Sequence, residues 1–207
     1  MQEKSEIVVE HHYHQLSMIE NTIQFKEDRC ANYAHRTWIN AECADATLAF
    51  AVDHKTSGEI CTQKACKDTE HPIFKFQINE RGKMDADDNM EVLTECIAYL
   101  KSLGPCGVNI AGNGMSTFAR YDITQERVDE LVYNALKYIK EQCPELYEVR
   151  SGGQTGADES GLKASARLGL TTVCFAPKGW RFRTADGVDH NGDFESFKRR
   201  FYEQKSK

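Results

Sequence analysis

Long apolar runs are missing from this chain. No uninterrupted stretch approaches the roughly 18–20 residues that a membrane span requires, and the opening MQEKSEIVVEHHYH lacks the apolar centre of a signal peptide. Both absences lead to the expectation of a soluble, cytoplasmic protein with no membrane partner. An excess of positive charge is missing too. Lys and Arg number 26 against 32 Asp and Glu, a net charge of −6, which counts against nonspecific binding of nucleic acid, since that depends on neutralising phosphates. Eight cysteines are present without one Cys-x-x-Cys pair, so they read as reduced small hydrophobes and not as a disulfide framework.

What is present is globular: 40% of residues are hydrophobic and 28% charged, and 207 residues suffice for one sizeable core but hardly for two. Residues 1–40 show no clean period. They are expected to be a segment packed on the core, with a strand or short helix near SEIVVE, and residues 41–207 a single domain. His11, His12 and His14 in HHYH read as a partly exposed polar stretch, and no metal site is assigned.

From residue 46 apolar runs alternate with amphipathic stretches. ATLAFAV, HPIFKFQI, GVNIAG, LYEVR and TTVCFAP read as strands. Helices are expected around SGEICTQKACK, after a capping box of Asp88 and Glu91, after Thr124 as N-cap, through Leu162, Ala166 and Leu168, and from about 193 to 205. Strands alternating with helices predict an α/β fold, Rossmann-like and doubly wound, with a mostly parallel sheet covered by helices on both faces.

Two glycine turns follow strands: Gly112-Asn113-Gly114, and Ser151-Gly152-Gly153-Gln154-Thr155-Gly156 ahead of a helix beginning near Ala157. Glycine lets backbone approach a ligand, and a helix N-terminus offers free N–H groups and partial positive charge. That combination favours an anion, most naturally a phosphate. Neither the Walker A loop nor the Gly-x-Gly-x-x-Gly fingerprint fits literally. Asp158 and Glu159 admit three roles: helix cap, ribose ligand, or acid–base group. Lys178, Arg181 and Arg183 are placed to neutralise phosphates, and Trp180 either stacks on a flat heterocycle or packs into the core.

The stretch SGGQTGADESGLKASARLG followed by TVCFAPKGWRFR closely resembles the molybdenum-cofactor carrier family, within the SLOG (DprA and Lonely Guy-like) Rossmann superfamily. HRTWINAECADATLAFAVDHKTSGEICTQKA resembles that family's Arg-Thr, Asn and Asp-Ala-Thr-Leu segment, but stands before the glycine loop instead of after it, as a circular permutation would produce. The resemblance implies a pocket for a nucleotide or nucleotide-derived ligand. It makes Gly152, Gly153, Gln154, Thr155, Gly156 and Asp158 the phosphate and ribose loop, sets Lys178, Gly179 and Trp180 beside it, and puts Asp45, Thr47, Ser57 and Gly58 on the facing strand and turn. It also implies self-association.

The phosphoribohydrolase branch carries Pro-Gly-Gly-x-Gly-Thr-x-x-Glu after that facing strand. DHKTSGEICTQK supplies Gly58 but neither the glycine pair nor a glutamate in register, and Glu59 stands where threonine is wanted. The expected function is therefore binding of a phosphorylated, nucleotide-like ligand or cofactor, as carrier, sensor or sequestering protein, with the ligand's identity open. The alternatives are a nucleotide N-glycosidase using Asp158 or Glu159, and a molybdenum-cofactor carrier proper.

Overall fold

The computed structural model describes residues 23–202, so SEIVVE and the histidines of HHYH lie outside the described residues. Six strands form one sheet: β1 (Ile23–Glu27), β2 (Ala46–Ala51), β3 (Ile73–Gln77), β4 (Cys106–Gly112), β5 (Leu146–Ser151) and β6 (Thr171–Ala176). Their order is β1-β6-β5-β4-β2-β3, and every neighbouring pair runs parallel. The α/β, doubly wound expectation is met. No described helix is long and apolar enough to cross a membrane.

Strand β2 shows why the sheet is buried on both sides. Ala46, Leu48 and Phe50 enter the main core, while Thr47, Ala49 and Ala51 alternate with them, and all six are buried. On the main-core side pack α3 (Ala86–Leu103), α5 (Gln125–Gln142) and α6 (Ala157–Arg167), contributing Cys96, Leu100, Val128, Val132, Leu136, Ile139 and Ala164. A smaller cluster, Ala41, Ala65 and Cys66 with Trp38 and Ile73, joins α1 (Tyr33–Glu42) to α2 (Ser57–Asp68). Its small side chains suit a close approach of two helices.

Helix α5 starts as its sequence requires, with the Thr124 hydroxyl accepting from the Arg127 amide. Helix α3 does not. It begins at Ala86 after Asp85, so Asp88 lies in the first turn and not at a capping box. Helix α7 (Phe194–Arg199) is shorter than the expected 193–205, yet Phe197 and Phe201 are buried as the spacing demands.

Among the elements that went unanticipated are α1, the four-residue α4 (Met115–Phe118) with the 3-10 turn Ala119–Tyr121 after it, and a hairpin of β7 (Phe182–Arg183) with β8 (Asp189–His190). Strand β1, within the stretch that showed no period, is an edge strand paired with β6.

The topology sets where a ligand can enter. From β2 the chain moves outward through α2 to β3, whereas from β4 it moves through α5 the opposite way to β5. The C-terminal ends of β2 and β4 therefore part at a switch point, the place where open α/β sheets leave a crevice.

Candidate functional site

The loop from Ser151 to Asp158 is packed inside. Ser151, Gly152, Gly153, Thr155, Gly156 and Asp158 are all buried, and Gln154 is half-buried. Its amides are largely spent within the protein. Gln154 N–H donates to Asp158 Oδ2 at 3.3 Å, Thr155 N–H to Gln154 Oε1 at 3.1 Å, Gly156 N–H to Gln125 Oε1 at 2.7 Å, and Ala157 N–H to the Asn113 carbonyl at 3.1 Å. The glycines serve close packing. A Cβ at Gly152 would lie 1.1 Å from Arg36 Nη1, and one at Gly153, whose φ is +68°, would lie 2.7 Å from both Cys174 Sγ and the Phe197 ring. The loop is thus a socket for protein groups, against the expectation that its amides face a guest.

Beside it, at the switch point, is a cavity of about 640 Å³, within the range of small-ligand sites, roughly 300–1,000 Å³. One wall is α1, which presents Tyr33, Arg36, Thr37 and Asn40 at helical spacing. A second is the turn from β2 into α2, with Asp53, Thr56, Ser57, Gly58 and Glu59. The third is the β4–α4 turn, Gly112 to Thr117, with Gln154, Asp158 and Arg183 completing the rim.

Asn113 joins two of these walls. Its Oδ1 accepts from the amides of Val52 and Asp53 at 2.9 and 3.0 Å, and its Nδ2 donates to the Asp53 carbonyl at 3.0 Å. In α2 the Thr56 hydroxyl accepts from the Glu59 amide and its carbonyl from the Ile60 amide. The amides of Ser57 and Gly58 remain as helix-end donors on the cavity wall.

Electrostatically the cavity's lining contains a buried ion pair. Arg36 Nη1 lies 2.7 Å from Asp158 Oδ2, the side chains 11% and 8% exposed, while Arg36 Nε is buried with no hydrogen-bond partner among the described residues. Glu59 is a buried carboxyl in the opposite wall. Burial pushes its pKa up, and His54, 3.7 Å away, only partly offsets this. Glu159 faces elsewhere, between Lys163 Nζ at 2.6 Å and Arg200 Nη1 at 3.0 Å.

The residues that wall this cavity can be compared with known families. The model of the circularly permutated YpsA SLOG family matches residues 12–133, over half of the chain. The chain belongs to that family. The match takes in α1, the β2–α2 turn and the β4–α4 turn, three walls of the cavity, and ends within α5, ahead of the glycine loop. The permuted order is visible in the chain, where β2 precedes the loop after β5. No curated protein matches the sequence.

Of the residues singled out in the sequence, Gly112, Asn113, Gly114, Gln154, Asp158, Arg183, Ser57 and Gly58 meet at the cavity. Others do not reach it. Asp45 lies at the opposite end of the sheet, its Oδ2 accepting from the Gly107 amide, and Thr47 stands behind the cavity wall, accepting from Nδ2 of Asn109, which lines the cavity. Ser151 Oγ donates to the Ile110 carbonyl and Thr155 Oγ1 to that of Arg183. Lys178 is exposed, the Gly179 amide donates to Glu27, and Arg181 pairs with Asp189. Trp180 takes the core alternative, its ring 4.7 Å from Phe194 and 5.4 Å from Phe197.

Sequence reasoning passed over Tyr33, Arg36, Thr37, Asn40, Asp53, Thr56, Glu59 and Arg120 as site residues. A signal for four of them was present, since Tyr33, Arg36, Thr37 and Asn40 fall at i, i+3, i+4 and i+7, one face of any helix there.

Proposed function

We propose that the protein binds a phosphorylated, nucleotide-like ligand in the cavity between α1, α2 and the β4–α4 turn. The observation that carries this reading is Arg36: a nearly buried guanidinium on the cavity wall, backed by Asp158 and keeping one N–H without a partner. A guanidinium in that state gains from an incoming phosphate, which accepts two parallel hydrogen bonds from it. The first turn of α2 would add the amides of Ser57 and Gly58, and Arg120 and Arg183 would add positive charge at the rim. The role proposed for the loop amides thus passes to Arg36 and α2, with the loop holding Arg36 in place. Carrier, sensor and sequestering roles, including carriage of a molybdopterin-type cargo, all fit such a pocket.

Isothermal titration calorimetry with AMP, ADP-ribose, NAD and molybdopterin tests this. One of them is expected to bind, with a matching stabilisation of the folded state of about 2.7 kcal/mol at a free-ligand concentration of about one hundred times Kd, and Arg36→Met should weaken it by at least about tenfold. If none binds, or the variant binds as well, the reading fails.

A second reading rests on Glu59. A buried carboxyl with a raised pKa, in a pocket wall, is fitted to donate a proton to a leaving base. N-glycosidic hydrolysis would then use Glu59, because Asp158 is held by Arg36 and Glu159 lies outside the cavity. Release of free base from nucleoside monophosphates, abolished in Glu59→Gln, would establish it over simple binding.

A further inference from the structure

Away from the cavity, three side chains of different chemistry converge where β1 meets the first turn of α1. A carboxylate oxygen of Asp28, the sulfur of Cys30 and a ring nitrogen of His35 all lie within 4.8 Å of one another. The Asp28 side chain is 1% exposed, with Oδ2 2.6 Å from His35 Nδ1, and its Oδ1 accepts from the Cys30 amide at 3.1 Å. The segment is pinned on both sides of Cys30. The Asp28 amide donates to the Ala176 carbonyl at 2.7 Å, and the Lys178 amide to the Cys30 carbonyl at 3.0 Å. None of the three lines the cavity, which takes Tyr33, Arg36, Thr37 and Asn40 from α1.

A Cys, a His and an Asp in contact suggest two chemistries, and the distances separate them. In a thiol-activating relay the imidazole stands between its partners, one nitrogen toward the carboxylate and the other toward the sulfur. That places carboxylate and sulfur on the order of 7 Å apart, from two hydrogen bonds of roughly 3 Å with the ring between them. Here carboxylate and sulfur are no further apart than 4.8 Å. The arrangement is a triangle and not a line.

We propose that Asp28, Cys30 and His35 form a Zn²⁺ site with an open fourth position. Metal–ligand lengths of about 2.0–2.3 Å put the donors of a tetrahedral zinc roughly 3.5 Å apart, so the Asp28–His35 side, a 2.6 Å hydrogen bond, has to open as the proton it shares is lost, while the Cys30 sulfur, within 4.8 Å of both, draws in. One oxygen, one nitrogen and one sulfur donor suit zinc far better than magnesium or calcium, which take oxygen alone. Three protein ligands leave a coordination position for water or an exogenous ligand. The spacing, Asp-x-Cys-x-x-x-x-His, lacks the paired cysteines or paired histidines by which zinc sites are usually read from sequence. The site is independent of the nucleotide pocket, and its test does not use that pocket's ligand.

The full chain, reduced and stripped of metal, is titrated with Co²⁺ as a spectroscopic stand-in, then with Zn²⁺. The expected result is one Co²⁺ per chain with a thiolate-to-metal charge-transfer band and the intense visible bands of tetrahedral cobalt, bleached by one equivalent of Zn²⁺. Cys30→Ser should remove the charge-transfer band, and His35→Gln should weaken Co²⁺ binding by at least about tenfold. Cys61→Ser and a variant with His11, His12 and His14 all changed to Ala should both keep the full spectrum. Circular dichroism verifies folding, and His35, partly exposed, gives a readout even where Cys30→Ser is poorly folded. An unchanged spectrum in Cys30→Ser or His35→Gln, its loss in the three-histidine variant, or no tetrahedral cobalt at all would overturn the site.

Discussion

Two turns leave the same edge of the sheet, each with glycine and hydroxyl residues and each opening a helix, and they have opposite fates. The β5–α6 turn is closed: Arg36 lies against Gly152, Phe197 and Cys174 against Gly153, and Gln125 holds the Gly156 amide. The β2–α2 turn is open, and a Cβ on Gly58 would meet nothing nearer than the Thr56 hydroxyl at 4.0 Å. The difference lies in what comes from far along the chain to meet each turn. Glycine at the first is there because neighbouring atoms occupy the space a side chain would take. At the second that space is the cavity's.

Substitutions sharpen this contrast, and the largest effect belongs to the closed side. A Cβ on Gly156 would stand 2.4 Å from the Asn113 carbonyl oxygen, and one on Gly112, in the β4–α4 turn that packs against the closed turn, 2.0 Å from that of Phe50, both backbone atoms that cannot swing away. Gly112→Val or Gly156→Val should each cost more than about 4 kcal/mol in urea unfolding. Gly153→Val should likewise lower stability outright and not merely ligand affinity, given its positive φ and its packing on Phe197.

Next comes the ion pair seated in that closed turn. Arg36→Ala strands the Asp158 carboxylate in a buried site and should cost about 3 kcal/mol. Arg36→Met combined with Asp158→Asn should recover much of the loss, and a double-mutant cycle reads the coupling.

A smaller effect is expected from the hairpin that covers the loop. The Arg183 hydrogen bond, followed by those from Arg181 and Tyr33, holds the Asp189 carboxyl down to about 2. A depressed pKa stabilises above the unfolded value and the benefit is lost as pH falls, so the hairpin should loosen between about pH 4 and pH 2. Protection from hydrogen exchange at the Thr184 and Gly187 amides, which bond within the turn, measured against the intrinsic rate at each pH, should fall there before the sheet opens.

Least of all should follow from Gly58→Ala in the open turn. In a helical first turn with no crowding neighbour, stability should stay level or rise by up to about 1 kcal/mol. A loss as large as that of Gly156→Val would erase the distinction between the two turns.

How much of this was legible in the sequence follows from which contacts are local. Strands β2, β4 and β6 are written as continuous apolar runs because both faces are covered, and α5 announces itself by Thr124 and its buried stripe. Helix α1 does neither. One side of it carries Arg36, Thr37 and Asn40 to a polar cavity and only Trp38 and Ala41 pack on α2, so no apolar period survives to be read. The glycine loop was recognisable as a strand-to-helix turn. Its closure was not, since it depends on Arg36, Phe197 and Arg200, which come from 40 or more residues away in the chain. Strand direction alone places Asp45 just before β2, at the end of the sheet away from the ligand crevice, and leaves Thr47 one hydrogen bond behind the cavity-lining Asn109, whatever family pattern surrounds them.

The side-chain amide of Gln154 ties two distant parts together. One oxygen accepts both the Thr155 and the Arg183 amides, while the Arg183 side chain grips Asp189 and borders the cavity. An occupant that recruited Arg183 would compete with Asp189 for it and pull on the same strand that lids the loop. Filling of the pocket would then be announced on the outer surface, by the arm between residues 181 and 190, where another molecule can sense it.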